Sequence, residues 1–186
     1  MQIGSLTLKG DAASDAIQVR AEIYQVSAND NYTLTLTLQD DNRARLVADA
    51  GSSLGGGSDR IDLSITVPET LEVTITDGSG SLRVDTLAGD LKIEDGSGSI
   101  RISGIQGSVV VEDGSGSITV SEVSRNVSIE DGSGSISVMN TGGKVTVSDG
   151  SGSINVDGAD AFELVDDGSG SVSTRNVRSR GGGGTD

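Results

Sequence analysis

Aliphatic and polar residues alternate along most of this chain, in a pattern that returns every 18 residues. In one copy, Ile100 and Ile102 alternate with polar neighbours, Ile105 follows three positions later, and Val109 and Val111 alternate again. A period of two predicts a strand with one buried side. Each copy therefore predicts two short strands and about five inward-facing aliphatic side chains.

A hexapeptide, Asp-Gly-Ser-Gly-Ser followed by Ile, Leu or Val, separates the copies at constant spacing. Its occurrences begin at Asp77, Asp95, Asp113, Asp131, Asp149 and Asp167. One copy cannot bury its own apolar row, whereas copies stacked about 4.8 Å apart can. The pattern therefore predicts an all-β fold, a parallel β-solenoid (β-helix) with 18-residue coils. We expect it to be right-handed, because parallel crossover connections nearly always are.

The spacing speaks against two other kinds of solenoid. A left-handed hexapeptide helix needs an aliphatic residue at every sixth position, whereas the inward residues here are spaced by 2, 3, 4, 2 and 7. A calcium-binding β-roll needs a motif in which Asp follows the glycines, twice in each coil. In this chain the Asp precedes the glycines and occurs once per coil.

Small residues are expected at both turns of a coil. The first turn contains the structural glycines Gly78, Gly96, Gly114, Gly132, Gly150 and Gly168. The second turn, where Arg125 is the exception, contains Gly89, Gly107, Gly143 and Ala161. We expect a positive φ at these second-turn glycines, since glycine adopts that conformation without steric cost.

The two ends of the chain depart from the repeat. Residues 1–66 predict a small antiparallel β cap with the strands that lead into the solenoid, and residues 67–178 predict the solenoid itself. Within the cap, Gly-Ser-Leu-Thr-Leu at residues 4–8 resembles Gly-Ser-Leu-Arg-Val at residues 80–84 and predicts a degenerate coil strand.

Near the C-terminus, Phe162 and Leu164 have the opposite parity from their counterparts in other coils, which predicts a bulge or register change. Residues 179–186, with four consecutive glycines, predict a disordered tail.

Composition narrows the classes of function. The net charge of −15 disfavours nucleic acid as a partner, because phosphate binding needs a basic surface. The sequence contains no run of about 18 apolar residues, so it predicts no membrane-spanning segment. The chain has no Cys and no His, so neither a thiolate metal site nor a Ser-His-Asp triad can form. We therefore expect no catalysis and no cofactor.

The Asp that opens each hexapeptide is the main candidate for chemistry. Carboxylates stacked at the coil spacing would repel one another by roughly 1 kcal/mol in water and about 3–4 kcal/mol at an effective dielectric near 20. An Asx turn, in which each carboxylate accepts amide N–H groups two or three residues ahead, would offset that repulsion. A row of calcium ions bridging the carboxylates is the alternative. An outward-facing acidic column accompanies this one at Glu94, Glu112, Glu130 and Asp166.

The hexapeptide serines predict two further columns, starting at Ser79 and Ser81. Their hydroxyls either help to satisfy the backbone of the turns or form a lattice that binds ice or sugar.

Residues 65–75, ITVPETLEVTI, and the repeated Val-x-Ile-Glu-Asp-Gly-Ser-Gly-Ser-Ile that follows carry a family resemblance. The chain resembles, over residues 1–178, bacterial adhesin-type proteins with a β-strand-repeat domain of unknown function, relatives of the head-GIN domain. The resemblance implies a β-solenoid and an exported, cell-envelope location, and it brings no catalytic residues. Members usually begin with a signal or lipoprotein peptide, and no such segment follows Met1. We expect either a cytosolic protein or a trimmed form of an exported one, and the resemblance favours export.

Three functions follow from these observations. The first is a cell-surface or extracellular structural or adhesion module with a surface or matrix ligand. The second is a protein that stacks head-to-tail into filaments, in which the weak C-terminal coil near Val172 leaves an open edge and the strand at residues 4–8 resembles the one that would stack next. The third is a calcium-dependent binding module that uses the Asp column.

Overall fold

The computed structural model describes residues 3–25, 32–39, 43–49 and 59–182, and their regular structure consists of β-strands. The strands that precede the solenoid are β1 (Ile3–Asp11), β2 (Gln18–Tyr24), β3 (Thr33–Gln39), β4 (Arg43–Asp49) and β5 (Arg60–Pro68). Those of the first coils are β6 (Val73–Thr76), β7 (Gly80–Leu87), β8 (Leu91–Asp95), β9 (Gly98–Ile105) and β10 (Val109–Asp113). The remaining strands are β11 (Gly116–Val123), β12 (Val127–Asp131), β13 (Gly134–Asp149), β14 (Gly152–Asp167) and β15 (Gly170–Gly182).

The predicted parallel β-solenoid with 18-residue coils is confirmed. Its leading wall consists of β7, β9, β11 and the first halves of β13, β14 and β15. Its trailing wall consists of β6, β8, β10, β12 and the second halves of those three strands. Equivalent residues pair between coils, so that Ile100 lies opposite both Leu82 and Ile118. Each side chain therefore rests on its own counterpart one coil away.

The interior is a stack of aliphatic rows, as the alternation predicted. Ile102, Ile105 and Val111 in one coil are fully buried, and their counterparts in neighbouring coils are buried to a similar degree. Burying one such side chain contributes about 1.5–3 kcal/mol, so the stacked rows supply most of the driving force for coil association. Thr141 occupies the corner where other coils carry Leu, Ile or Val, and it is buried there without a hydrogen-bond partner for its hydroxyl.

The strand β1 extends the leading wall at its N-terminal edge. It pairs in parallel with β7, with Leu6 opposite Leu82 and Leu8 opposite Val84, which confirms the prediction of a degenerate coil strand. The other edge of β1 pairs in parallel with β5, whereas antiparallel pairing had been expected for residues 1–66. Antiparallel pairing joins β2 to β5 and β3 to β4.

This arrangement corrects the predicted route to filaments. Because β1 is paired along both edges, by β5 and by β7, it cannot receive the strand of a second copy. Among the described strands, β6 at the N-terminal end of the trailing wall pairs with β8 alone, and β15 at the opposite end pairs with β14 alone. Edges that can accept another strand therefore lie at both ends of the solenoid.

The register change predicted near the C-terminus is confirmed. Along β14 the offset to β13 falls by one residue before Phe162 and is restored after Leu164, so that Phe162 lies opposite Val145 and Leu164 opposite Val147. Phe162 is buried among the core residues, and Val165, the residue that restores the offset, is 61% exposed. The two compensating register shifts thus keep Phe162 buried and Leu164 partly buried against the core.

The first part of the predicted tail is a strand instead. Ser179 to Gly182 belong to β15, where Ser179 pairs with Ala161 and Gly182 with Leu164. The free N–H and C=O groups along the edge of β14 offer these residues a ladder of hydrogen bonds, which their composition did not reveal. Residues 183–186 lie outside the described residues.

The second-turn glycines serve a different purpose from the one predicted. Gly107 does not have a positive φ; instead a Cβ built on it would lie 2.3 Å from the carbonyl oxygen of Gly89 in the preceding coil. Close backbone approach between coils therefore selects glycine here. The first-turn glycines from Gly96 to Gly168 show the same crowding, with the Cβ at 2.4–2.7 Å from the preceding glycine carbonyl. Positive φ belongs instead to the second glycine of the hexapeptide, such as Gly98 at 134°.

A corner of the leading wall requires a left-handed backbone, which the sequence pattern did not reveal. One residue per coil has a φ between 51° and 79°, and the residues concerned are Thr86, Gly104, Glu122, Asn140, Gly158 and Asn176. Glycine and asparagine accept this conformation readily, whereas other residues pay roughly 1–2 kcal/mol. Thr86 and Glu122 therefore hold strained backbone in an otherwise regular stack.

Replacing Glu122 with Asn should stabilise the protein by about 1 kcal/mol, since Asn tolerates the left-handed region. Thermal melts should show a melting temperature higher by roughly 2–4 °C. Glu122→Gln is the matched control, because it removes the same charge but keeps the unfavourable backbone preference. Equal melting temperatures for the two variants would contradict the assignment of strain to this corner.

Candidate functional site

The Asp column lies where the trailing wall turns into the next coil. Each Asp lies at or directly after the end of a trailing stretch, in the same inward parity as the aliphatic residues before it, as Asp95 does after Leu91 and Ile93. The first five carboxyl groups are almost completely buried, with exposed fractions from 8% at Asp95 down to 1% at Asp149. Asp167, at the open end, is half-buried. The predicted column is therefore present, and it forms an edge of the core.

The predicted Asx turn is confirmed, with amide donors one and two residues ahead. The Oδ1 of Asp95 accepts hydrogen bonds from the N–H of Gly96 at 2.8 Å and from the N–H of Ser97 at 3.4 Å. The same carboxylate oxygen of Asp131 accepts from Ser133 N–H at 3.2 Å. These bonds hold each carboxyl group against its own turn and fix the direction of the chain into the next coil.

One oxygen of every carboxyl group in the column lacks a partner. The Oδ2 atoms of five members, and Oδ1 of the sixth, are buried without a hydrogen bond; the residues are Asp77, Asp95, Asp113, Asp131, Asp149 and Asp167. A buried acceptor without a donor costs about 1–3 kcal/mol, and more when it is charged. The Asx turns thus satisfy only half of each carboxyl group.

Burial raises the pKa of four carboxyl groups in the column. It is the largest cause of the raised pKa of Asp77, Asp95 and Asp131, and neighbouring carboxylates add to it at Asp77 and Asp131. For Asp113, burial followed by repulsion from Asp131 and Asp95 raises the pKa to about 6. The turn amides act in the opposite direction but do not compensate.

An acidic groove runs across the coils beside this column. It has a volume of about 570 Å³ and is lined by Thr76, Asp77, Glu94, Asp95, Gly96, Glu112, Asp113, Glu130, Asp131, Gly132 and Ser148. The predicted outward column is confirmed, since Glu112, Glu130 and Asp166 are exposed and Glu94 is half-buried. The groove therefore has a floor of buried carboxyl groups and a rim of solvated ones.

A lysine that sequence reasoning missed bridges this rim. The ammonium group of Lys92 lies 2.8 Å from Glu94 in its own coil and 3.1 Å from Glu112 in the next. Its outward parity, two positions before Glu94, was the available signal. An exposed ion pair contributes at most about 1 kcal/mol, so the bridge mainly balances charge along the groove.

Metal-binding geometry is not found in the described part of the chain, where no three acidic side chains converge on one point. Nor does any helix there have the length and hydrophobicity needed to cross a bilayer. The unpartnered oxygens of the Asp column are buried, so a cation in the groove would first meet the rim glutamates.

The serine columns show little bonding between side chains. Within the described residues, the hydroxyl of Ser97 donates to the carbonyl of Gly78 at 3.5 Å, and the hydroxyl of Ser171 lies 3.4 Å from that of Ser153. Serines of the second column, such as Ser81 and Ser99, are exposed along the leading wall. Their hydroxyl groups therefore face solvent.

Stability should increase as the pH falls from 7.5 to about 5. Asp113 has a folded pKa of about 6 against an ordinary value of 3.8, so the folded state binds more protons in this range. Asp113→Asn should raise the melting temperature at pH 7.5 by roughly 2–4 °C, corresponding to about 1 kcal/mol, and should flatten the pH profile. Glu130→Gln removes one charge from the same groove and should keep the wild-type slope. Parallel profiles for all three proteins would contradict a raised pKa at Asp113.

A protein family matches this chain over most of its length. The family model described as Toastrack DUF4097 matches residues 7–179, which include the second half of β1 and all of β7 to β14. Neither the curated proteins nor the solved structures contain a match to the chain. The matched segment covers far more than half of the sequence and includes the 18-residue repeat that forms the solenoid. The chain therefore belongs to the Toastrack DUF4097 family, a group of uncharacterised repeat-type domains.

Proposed function

We propose that this protein is an exported, non-catalytic β-solenoid that serves as a cell-surface or extracellular structural and adhesion module. The observation that carries the proposal is the uniformity of its coils. From β7 to β15 each hexapeptide pairs with its counterparts in register, and no loop is inserted between coils. Such a body is stiff, and it presents the same hexapeptide serines at each step along its length.

The outward columns support a role in display. Ser99, Ser117 and Ser135 follow one another on successive coils of the leading wall, and all three are exposed. A ligand with its own repeat could meet equivalent groups on several coils at once, which raises the overall affinity without any single tight contact. The adhesin-type and head-GIN resemblance agrees with this role and is the basis for proposing export.

Changing the number of coils tests the proposal directly. Deleting residues 114–131 removes one whole repeat and joins Asp113 to Gly132, an equivalent junction; duplicating the same residues adds a coil. We expect binding to matrix proteins or glycans in an array to weaken with the deletion and strengthen with the duplication. Fractionation of cells that express the full-length gene should place the protein outside the cytoplasm.

Each outcome has a clear meaning. Unchanged binding across the three coil numbers, or recovery of the protein in the cytoplasm, would overturn the display proposal. Light scattering during size-exclusion chromatography provides the control for association. A mass that rises with concentration would instead support assembly through the free edge of β15.

A calcium-dependent binding module is the second candidate, and the acidic groove favours it. Calcium prefers carboxylate oxygens, and the rim supplies Glu112 and Glu130 above the buried Asp column. If calcium binds there, millimolar calcium should raise the melting temperature relative to chelator, and Glu130→Gln should reduce the increase. Equal melting temperatures in calcium and in chelator would eliminate this candidate. The matched control is Glu122→Gln, which removes a charge outside the groove.

A further inference from the structure

A second concave site lies on the outer surface of the leading wall, and its lining differs in charge from that of the acidic groove. This slot has a volume of about 190 Å³ and crosses four adjacent strands, β1, β7, β9 and β11. Its lining consists of Leu6, Thr7, Ser81, Leu82, Arg83, Ser99, Ile100, Arg101, Ser117 and Thr119. Hydroxyl groups and two guanidinium groups therefore surround it, and no carboxylate is part of the lining.

The two arginines occupy directly opposed positions. Arg83 in β7 pairs in register with Arg101 in β9, so like charges lie side by side on adjacent strands. Such a pair is destabilising unless something compensates for it. Arg83 has a partner in its own strand, because Asp85 accepts a hydrogen bond from its Nη2 at 3.1 Å.

Arg101 has no equivalent partner. The residue that corresponds to Asp85 in the next coil is Ser103, and its hydroxyl donates to Asp85 at 2.7 Å. Among the described residues no ion pair involves Arg101, and its side chain is exposed. Its guanidinium group therefore keeps all its donors for a ligand.

The local charge is opposite in sign to that of the whole chain. Lys9 and Arg83 both lie close enough to act on the charge of Asp85, and Arg101 lies opposite Arg83 on the next strand. This excess of positive charge exists on a chain whose net charge is −15. An acidic body repels anions in general, so only a site with fixed donors can bind one.

We propose that the slot is a binding site for an oxyanion, a sulfate, phosphate or carboxylate group, with Arg101 as its principal ligand. A planar guanidinium group matches two oxygens of such an anion, and Arg83 retains donors that its pairing with Asp85 does not use. The hydroxyl groups of Ser99 and Ser117 add neutral donors on the same wall of the slot. The anion is either free in solution or carried on a polymer such as an acidic polysaccharide.

NMR of the arginine side chains tests this proposal, independently of any display role. Sodium sulfate and dextran sulfate are titrated separately into the isotopically labelled protein, with neutral dextran as a control. The Nε–H signals of Arg83 and Arg101 should shift together, and the Arg101→Gln variant should bind at least tenfold more weakly. Arg125→Gln is the matched control, because Arg125 is an exposed arginine at a corner outside the slot.

The outcomes separate the sources of the anion. Binding of both sulfate probes, lost in Arg101→Gln and kept in Arg125→Gln, supports a site for the anionic group itself. Binding of dextran sulfate alone, with the same dependence on the variants, supports a polymer-borne group. Absence of binding by both probes, or equal weakening by both substitutions, overturns the proposal, since a general electrostatic attraction does not distinguish the two arginines.

Discussion

The structure depends on one constraint, the in-register stacking of each coil on its neighbour through parallel backbone hydrogen bonds. Register fixes which side chains meet, because every residue lies opposite its own equivalent, as Val111 lies between Ile93 and Ile129. Aliphatic residues gain from this arrangement, since like packs against like in a continuous interior. Charged residues lose from it, because identical charges are brought to the coil spacing. The chemistry of this protein is therefore concentrated at the positions where the repeat places like polar groups together.

The Asp column and the pair of Arg83 and Arg101 show two ways in which the structure reduces this repulsion between like charges. In the column, one oxygen of each of the first five carboxyl groups is bonded to turn amides, and burial with repulsion from the neighbouring carboxylates raises the pKa of Asp113 to about 6. The leading wall uses variation between coils instead: Asp85 accompanies Arg83, whereas Ser103 follows Arg101. The acidic groove and the cationic slot thus arise from the same stacking rule applied to opposite charges.

Much of the fold could be predicted from the sequence, because its spacing and parity are physical consequences of stacking. The inward residues, the Asx turns and the register change at Phe162 are all visible as local patterns. Pairing partners outside the repeat are not: the parallel contact between β1 and β5 joins residues more than 50 positions apart and has no local signature. The left-handed corner was missed because Thr86 and Glu122 lack the residue types that usually mark it. The slot was missed because Arg83 and Arg101 look like ordinary outward residues until the coils are aligned.

The row of aliphatic residues along the trailing wall ends at the last described coil. Phe162 places a ring where preceding coils have Val or Leu, and the residues of β15 that pair beyond it are Arg180, Gly181 and Gly182, none of them aliphatic. Glycine adds hydrogen bonds to a sheet but no apolar surface. On the trailing wall, a strand added to β15 would be held mainly by backbone hydrogen bonds, whereas the leading half of β15 still offers Val172 and Val177. Along the trailing wall, the backbone pairing therefore continues past Phe162 while the row of aliphatic residues does not.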